Sequence, residues 1–391
     1  MSPELSATVV VLGFGFVLLV VAAASGTTEV EHPLRIKIPE PVTQWRKPLW
    51  IVGCLLLTIG VTLVVFAAMS NDKDGPTPDA FDACASQVRQ TRPTTGVDGD
   101  VAPELTSIKV APRPVDLVAT KTDVFVVHRD GRVTRIPLND TRREIEPLRR
   151  SKKLPGPSTD AVSIAYGHES IWVVKREEGS ERGVLAKISR RDGAVRHTRK
   201  IVQPDDVGVG GGAVWVIAGA NLLKIDPQDS GAPAREEPIG GDPHGLLVAH
   251  PCVYVAITNP DGFAAFDTTD GKRIGTYPLG GAREVAVGAG ALWMTGKSGE
   301  PRILRVDPDS PPAKAKPIRL DVAPANDALA VNQHGVWTAG GTNTVERVGP
   351  SGQRRRPLRV AGQPWAVAAT NDSEFVWVAQ RKGDTVTRIS P

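Results

Sequence analysis

Residues 5–25 and 49–69 are two apolar runs with no charged side chain in either. Each holds about 21 residues, close to the ~20 that an α-helix needs to cross ~30 Å of hydrocarbon, so the pattern predicts two transmembrane helices. Residues 26–48 and 70–104 are polar and proline-bearing, and read as an extended connector and a tether, the latter with a short helical piece near 81–89. From residue 105 the pattern changes again. An aromatic flanked by small or β-branched residues recurs as Val124-Phe125-Val126, Ile171-Trp172-Val173, Val214-Trp215-Val216 and Val253-Tyr254-Val255. It returns as Leu292-Trp293-Met294, Val336-Trp337-Thr338 and Val376-Trp377-Val378, with successive aromatics 39 to 47 residues apart. A short apolar strand precedes each aromatic, as in Val207-Gly208-Val209, and a third follows, as in Ile303-Leu304-Arg305-Val306. A turn such as Asp267-Thr268-Thr269-Asp270-Gly271 leads to a fourth, Ile274-Gly275-Thr276-Tyr277.

Four strands per unit of about 41 residues, seven times over, predict an all-β, seven-bladed β-propeller across 105–391. The last unit lacks a fourth strand, while Leu105-Thr106-Ser107-Ile108-Lys109-Val110 stands alone before the first. If that segment completes the last blade, with Ile108 beside Val386, the ring closes on itself and no open strand edge invites aggregation. The aromatics then fill the seams between blades.

Composition sharpens this outline. With 39 Gly and 33 Pro the chain is rich in turns and poor material for a helical bundle. Three Cys exclude a disulfide-built scaffold and a cysteine-rich zinc site. A net charge of +4 calls for no nucleic-acid partner. Arg35, Lys37, Arg46 and Lys47 crowd the connector, whereas the segment before the first run has no basic residue. The positive-inside rule therefore puts the connector in the cytoplasm and both termini outside, with Trp45 and Trp50 at the interface. A cleaved signal peptide is the rival reading of the first run, since Ala22-Ala23-Ala24 offers a cleavage point. Its usual basic lead-in is missing, however, and Glu4 stands there instead. Cys54 lies in the second run as a small packing residue. Cys84 and Cys252 remain, in a compartment where disulfides persist. A bond between them would staple the tether to the propeller, although the sequence does not bring them together.

The run Val253-Tyr254-Val255-Ala256-Ile257-Thr258-Asn259, followed by Phe266-Asp267-Thr268-Thr269-Asp270-Gly271-Lys272, resembles the bacterial YVTN-type propeller repeat. Pro243-His244-Gly245-Leu246 is similar to propellers of the virginiamycin B lyase group. The resemblance implies the fold and a bacterial plasma membrane. It leaves function open, because these families include binding modules, sensors and a few enzymes.

Superposing the repeats on their aromatics gives a column at the start of each innermost strand: Asp116, Val162, Asp206, Gly245, Glu284, Asp327 and Trp365. The column before it reads Val115, Ala161, Asp205, His244, Arg283, Asn326 and Pro364. These side chains are expected around one mouth of the central channel. There a ring of carboxylates would bind a ligand or a divalent cation, modulated by His244 and Arg283. The plainer reading is that each Asp or Asn bonds local backbone amides. The lyase group works with a His base and a carboxylate-held metal, so His244 and Glu284 are the pair through which this chain would act as a lyase or hydrolase. No flanking residues identify that active site. Gly208-Val209-Gly210-Gly211-Gly212 lies between strands and lacks the Gly-Lys-Ser/Thr ending of a phosphate loop. Arg149-Arg150-Ser151-Lys152-Lys153 and Arg354-Arg355-Arg356 read as solvated edge protection, or as contacts for anionic headgroups. The expectation is a membrane-anchored, extracytoplasmic binding module without resident cofactor, taking a protein partner or a small ligand. A propeller enzyme and a structural subunit of an envelope complex are the alternatives.

Overall fold

The structure is a computed structural model that describes residues 29–30, 36–37, 78–92, 103–138, 144–149, 154, 159–177, 179–259, 262–280, 282–296, 302–307, 318–321, 328–340, 343–370 and 374–390. Both predicted membrane runs lie outside these residues. Among the described residues no helix is long and apolar enough to cross a membrane. In the connector, Glu29–Val30 pairs antiparallel with Ile36–Lys37.

From residue 104 onward the chain builds seven antiparallel sheets. Blade 1 is Pro114–Ala119, Asp123–His128 and Val133–Pro137. Blade 2 is Thr159–Gly167, Ser170–Glu177, Arg182–Ser189 and Val195–Val202. Blade 3 is Pro204–Gly210, Ala213–Ala218, Asn221–Ile225 and Arg235–Pro238. Blade 4 is Asp242–Ala249, Cys252–Thr258, Gly262–Asp267 and Arg273–Pro278. Blade 5 is Val285–Gly288, Ala291–Thr295, Arg302–Val306 and Ile318–Asp321. Blade 6 is Ala328–Asn332, Gly335–Ala339, Thr344–Val348 and Leu358–Arg359. Blade 7 is Pro364–Ala368, Val376–Gln380 and Thr385–Ser390, and its fourth strand is Glu104–Lys109.

The first strands of successive blades touch in turn, and that of blade 7 returns to blade 1, so the ring is closed. Its latch has the expected register, with Val386 opposite Ile108 and Thr387 opposite Ser107. Blade 1 shows three strands among the described residues. In place of a fourth, Glu144 bridges the latch strand at Lys109 and Pro147 bridges Thr134.

Seven buried apolar clusters hold the ring together, one per seam. Side chains alternate along a strand, and both faces of each second strand are covered. Trp172 packs forward into the seam with blade 3, while Ile171 and Val173 pack backward against blade 1. The same geometry puts Trp215, Trp293, Trp337 and Trp377 into their forward seams. A Lys or Arg on the third strand faces most of these rings: Lys187 Nζ lies 5.4 Å from the Trp172 centroid and Arg347 4.8 Å from that of Trp337. Lys224 then donates to the carbonyls of Thr268 (2.8 Å) and Thr269 (2.6 Å) in the next blade. The indole N–H of Trp172, Trp215, Trp293 and Trp337 donates to a residue five places earlier, as Trp293 does to Gly288 O at 2.9 Å. Those four tryptophans are thus fixed by packing, a cation and a hydrogen bond together, and Trp377 by packing.

The tether carries helix α1, Pro78–Gln90, with Cys84, Ala85 and Val88 buried against the propeller. Cys84 is disulfide-bonded to Cys252, and Gly290 N–H donates to Thr91 Oγ1 at 3.0 Å. A Cβ at Gly290 would stand 2.2 Å from Arg92 Cγ, and its φ of +73° lies in the left-handed region, so this docking requires glycine.

Candidate functional site

The innermost strands all begin on one face, here the mouth face, and end on the other in tight turns to the second strands. α1 sits on that other, turn face, against Gly290 and Cys252. The mouth face carries the start of each channel strand and the loops between second and third strands.

Strand pairing corrects the predicted column. Counting back from the residue opposite each aromatic, the mouth position is Asp116, Ser163, Asp206, Gly245, Glu284, Ala328 and Ala366. Val162 and Trp365 are therefore displaced by one place from the expected column. Ser163 stands nine residues before Trp172, the spacing of blades 1, 3, 4 and 5, whereas Ala366 stands eleven before Trp377, because more residues join the first two strands of blade 7. A register shift accompanies the mouth position in blades 1, 3 and 4 as well. Asn326 and Asp327 lie outside the described residues. Asp116, Asp205, Asp206, His244, Arg283, Glu284 and Trp365 do come together, around a mouth cavity of ≈ 430 Å³.

Acids thus occupy blades 1, 3 and 5, with small residues between them. Asp116 accepts from Leu117 N–H (2.8 Å) and from Ile164 N–H in blade 2 (3.0 Å). Asp206 accepts from Val207 N–H (2.7 Å), from Leu246 N–H in blade 4 (2.7 Å) and from Ser163 Oγ (2.5 Å). Each therefore bonds its own strand and stitches it to the next blade, joining the two readings of the column. Ser163 thus donates to Asp206 and also favours the charged form of Asp116. These groups line the channel and are partly open to it, but the ring encloses them on every side. Burial pushes Asp116 up to about 7. Burial, reinforced by the charge of Asp116, does the same to Asp206. Glu284 is raised well above the carboxylate range by burial and by Asp206, Asp116 and Asp205, with Arg283 opposing. Gly245 makes room for it: a Cβ there would stand 2.7 Å from Glu284 Oε2 and 2.6 Å from Arg283 O.

At the rim, Asp205 pairs with Arg176 Nη1 at 3.0 Å, and the Arg381 guanidinium lies 3.9 Å from the Trp365 centroid. His244 Nε2 meets Thr258 Oγ1 at 3.2 Å and Asp242 Oδ2 at 3.8 Å. Arg176, Asp205, His244 and Arg283 also line a second cavity of ≈ 1010 Å³, a groove over blades 2 to 4. Its outer wall is Glu177 at the end of the second strand of blade 2, Glu181 and Gly219 from second-to-third strand loops, and Asp242 from the start of blade 4. Sequence reasoning passes over Ser163, Arg176, Glu177, Glu181 and Asp242. A column drawn through the ends of the second strands and the loops after them finds three of them, Arg176, Glu177 and Glu181. Among the described residues no group of three or more His, Cys, Asp or Glu side chains is arranged to hold a metal ion.

No protein-family model and no curated protein matches the chain. Solved structures do. The β-propeller domain of Cps50 (Swd1) from Myceliophteria thermophila aligns over 74% of this chain and 100% of that one, with TM-score 0.60 and 9% identity. A catalytically inactive virginiamycin B lyase from Staphylococcus aureus, solved with quinupristin, aligns over 74% and 100%, with TM-score 0.56 and 14% identity. YCF48 bound to D1 peptide aligns over 76% and 99%, with TM-score 0.53 and 14% identity. The fold is a β-propeller. At such identities the likeness shows the fold alone.

Proposed function

We propose that the chain is a membrane-anchored, extracytoplasmic propeller that binds a protein partner on its mouth face and has no chemistry of its own. One observation carries this reading. The disulfide between Cys84 and Cys252 ties the segment that follows the apolar runs to the turn face, which leaves the mouth and groove on the opposite face. The disulfide favours an oxidising compartment, and the uncharged runs 5–25 and 49–69 supply the anchor. Among the neighbours, YCF48 is described as bound to a D1 peptide and Cps50 carries a propeller domain, in keeping with propellers as docking platforms.

The lyase or hydrolase alternative would rest on His244 and Glu284. They do share the mouth cavity, but His244 Nε2 is turned to Thr258 and Asp242, away from an open catalytic position. Photo-crosslinking from a benzophenone side chain tests the proposal. Placed at Glu181 on the mouth face in native membranes, it is expected to capture a discrete partner; placed at His168 on the turn face, it is not. Adducts from His168 alone, or from neither position, overturn it.

A further inference from the structure

We propose that mouth and groove form one site for an extended basic segment of a partner protein, with a lysine side chain entering the mouth beside Glu284 and the flanking backbone lying over blades 2 to 4. This rests on the binding reading above and names the chemistry of the partner. Continuity comes first. The two cavities share Arg176, Asp205, His244 and Arg283, so an occupant of one reaches the other. Size comes next. A space of ≈ 430 Å³ admits one long side chain, and a groove of ≈ 1010 Å³ admits the residues around it.

Charge selects among occupants. Glu177, Glu181, Asp205 and Asp242 line the groove, against the guanidiniums of Arg176 and Arg283 and the imidazole of His244. In the mouth, burial favours the neutral forms of Asp116, Asp206 and Glu284, and an entering ammonium would draw Glu284 into its charged form. Arg176 is already paired with Asp205. The carboxyl oxygens of Asp116 and Asp206 are occupied by backbone amides and Ser163. Glu284 differs: among the described residues no hydrogen-bond donor is placed on its carboxyl, and Arg283 is the cation that opposes its raised pKa. Ala328 and Ala366, at the same level in blades 6 and 7, line the same cavity with small side chains.

An ammonium on a flexible stem suits such a pocket. It is a compact charge with three rotatable donors, so it can serve Glu284 and neighbouring oxygens at once. A planar guanidinium needs a bidentate partner and would meet Arg283 in the same cavity. The backbone of the segment finds donors and acceptors along the groove in Gln203 and Asn259.

The probe is a fluorescein-labelled, acetylated peptide of alternating glycine and lysine, titrated with the full chain in detergent and read by anisotropy. It is expected to bind, with a norleucine-for-lysine version weaker by about tenfold or more. Glu284→Gln and the rim variant Asp242→Asn should each weaken binding by roughly three- to tenfold, whereas Asp192→Asn on the outer turn of blade 2 should not. Asp242 is exposed, so its variant keeps the test open if Glu284→Gln disturbs folding. Equal affinity of the lysine and norleucine peptides, or indifference to both variants, overturns the inference. Cadaverine competing as well as the peptide also overturns it, by reassigning the mouth to free amines. If the peptide fails while the Glu181 crosslink persists, the binding reading stands and only its basic-segment form falls.

Discussion

Asp206 receives a hydroxyl and two backbone amides from three blades, yet burial near Asp116 holds its pKa at about 7. The unfolded chain would lose that proton near 3.8, where a free aspartate does. Between these values the folded state binds more protons than the unfolded one, so its stability falls as pH rises from about 4 to about 7 and then levels off. Asp116 and Glu284 act in the same direction. Urea midpoints of the full chain at pH 5.5 and pH 8 should differ in favour of the lower pH, by roughly 1–3 kcal/mol per carboxyl. Asp206→Asn should shrink that difference. Gly245→Ala should cost about 1–3 kcal/mol, because the new methyl meets Arg283 O and Glu284 Oε2 in a place the backbone cannot widen. At this scale the sequence was readable in residue type but not in register. The acids of blades 1, 3 and 5 stood out as a column, whereas Ser163 was hidden one place away from Val162. Ser163 keeps the nine-residue spacing to its aromatic of blades 1, 3, 4 and 5, but a small hydroxyl among small residues does not mark a register as a carboxylate does.

The second strands explain why the aromatic repeat was the strongest signal. Each is buried on both faces around its aromatic, so the residues flanking that aromatic are mostly apolar and the aromatic must fit one seam. Trp293→Ala should therefore cost about 3–5 kcal/mol in a denaturant titration. The outer strands are the opposite case. Val195–Val202 is mostly exposed, carries little pattern, and is found only through its neighbours. Helix α1 lay between these extremes. Its buried residues, Cys84, Ala85 and Val88, gave a weak helical pattern, and its contact with Gly290 is a meeting across the fold that no local pattern announces. Cys252→Ser removes a link that spans 168 residues, and should cost roughly 2–4 kcal/mol by releasing the unfolded chain from a long closed loop. Denaturation with and without dithiothreitol should show the same loss in the wild type and no further loss in the variant.

For the whole molecule, closure was legible because it is a bookkeeping property of the repeats. A unit short of one strand and a strand short of a unit complete each other, and Val386 beside Ile108 confirms it. The site was less legible, since it gathers loops from several blades whose lengths vary independently. The proposed topology rests on the basic residues of the connector. A cysteine placed at Glu181 should react with a membrane-impermeant maleimide on intact cells, and one at Lys37 in the connector should react only after the membrane is opened. The reverse pattern would invert the proposed topology.

The latch has a consequence in time as well as in space. Strand Glu104–Lys109 leaves the ribosome before any blade exists, and its partner Thr385–Ser390 follows all of them. Between those two moments every synthesised blade belongs to an arc, with bare edges at both ends. The cell thus holds an unfinished ring until the last strand of blade 7 has emerged. A premature stop in blade 7 would then be more damaging than its few missing residues suggest, because it removes the event that turns an arc into a circle.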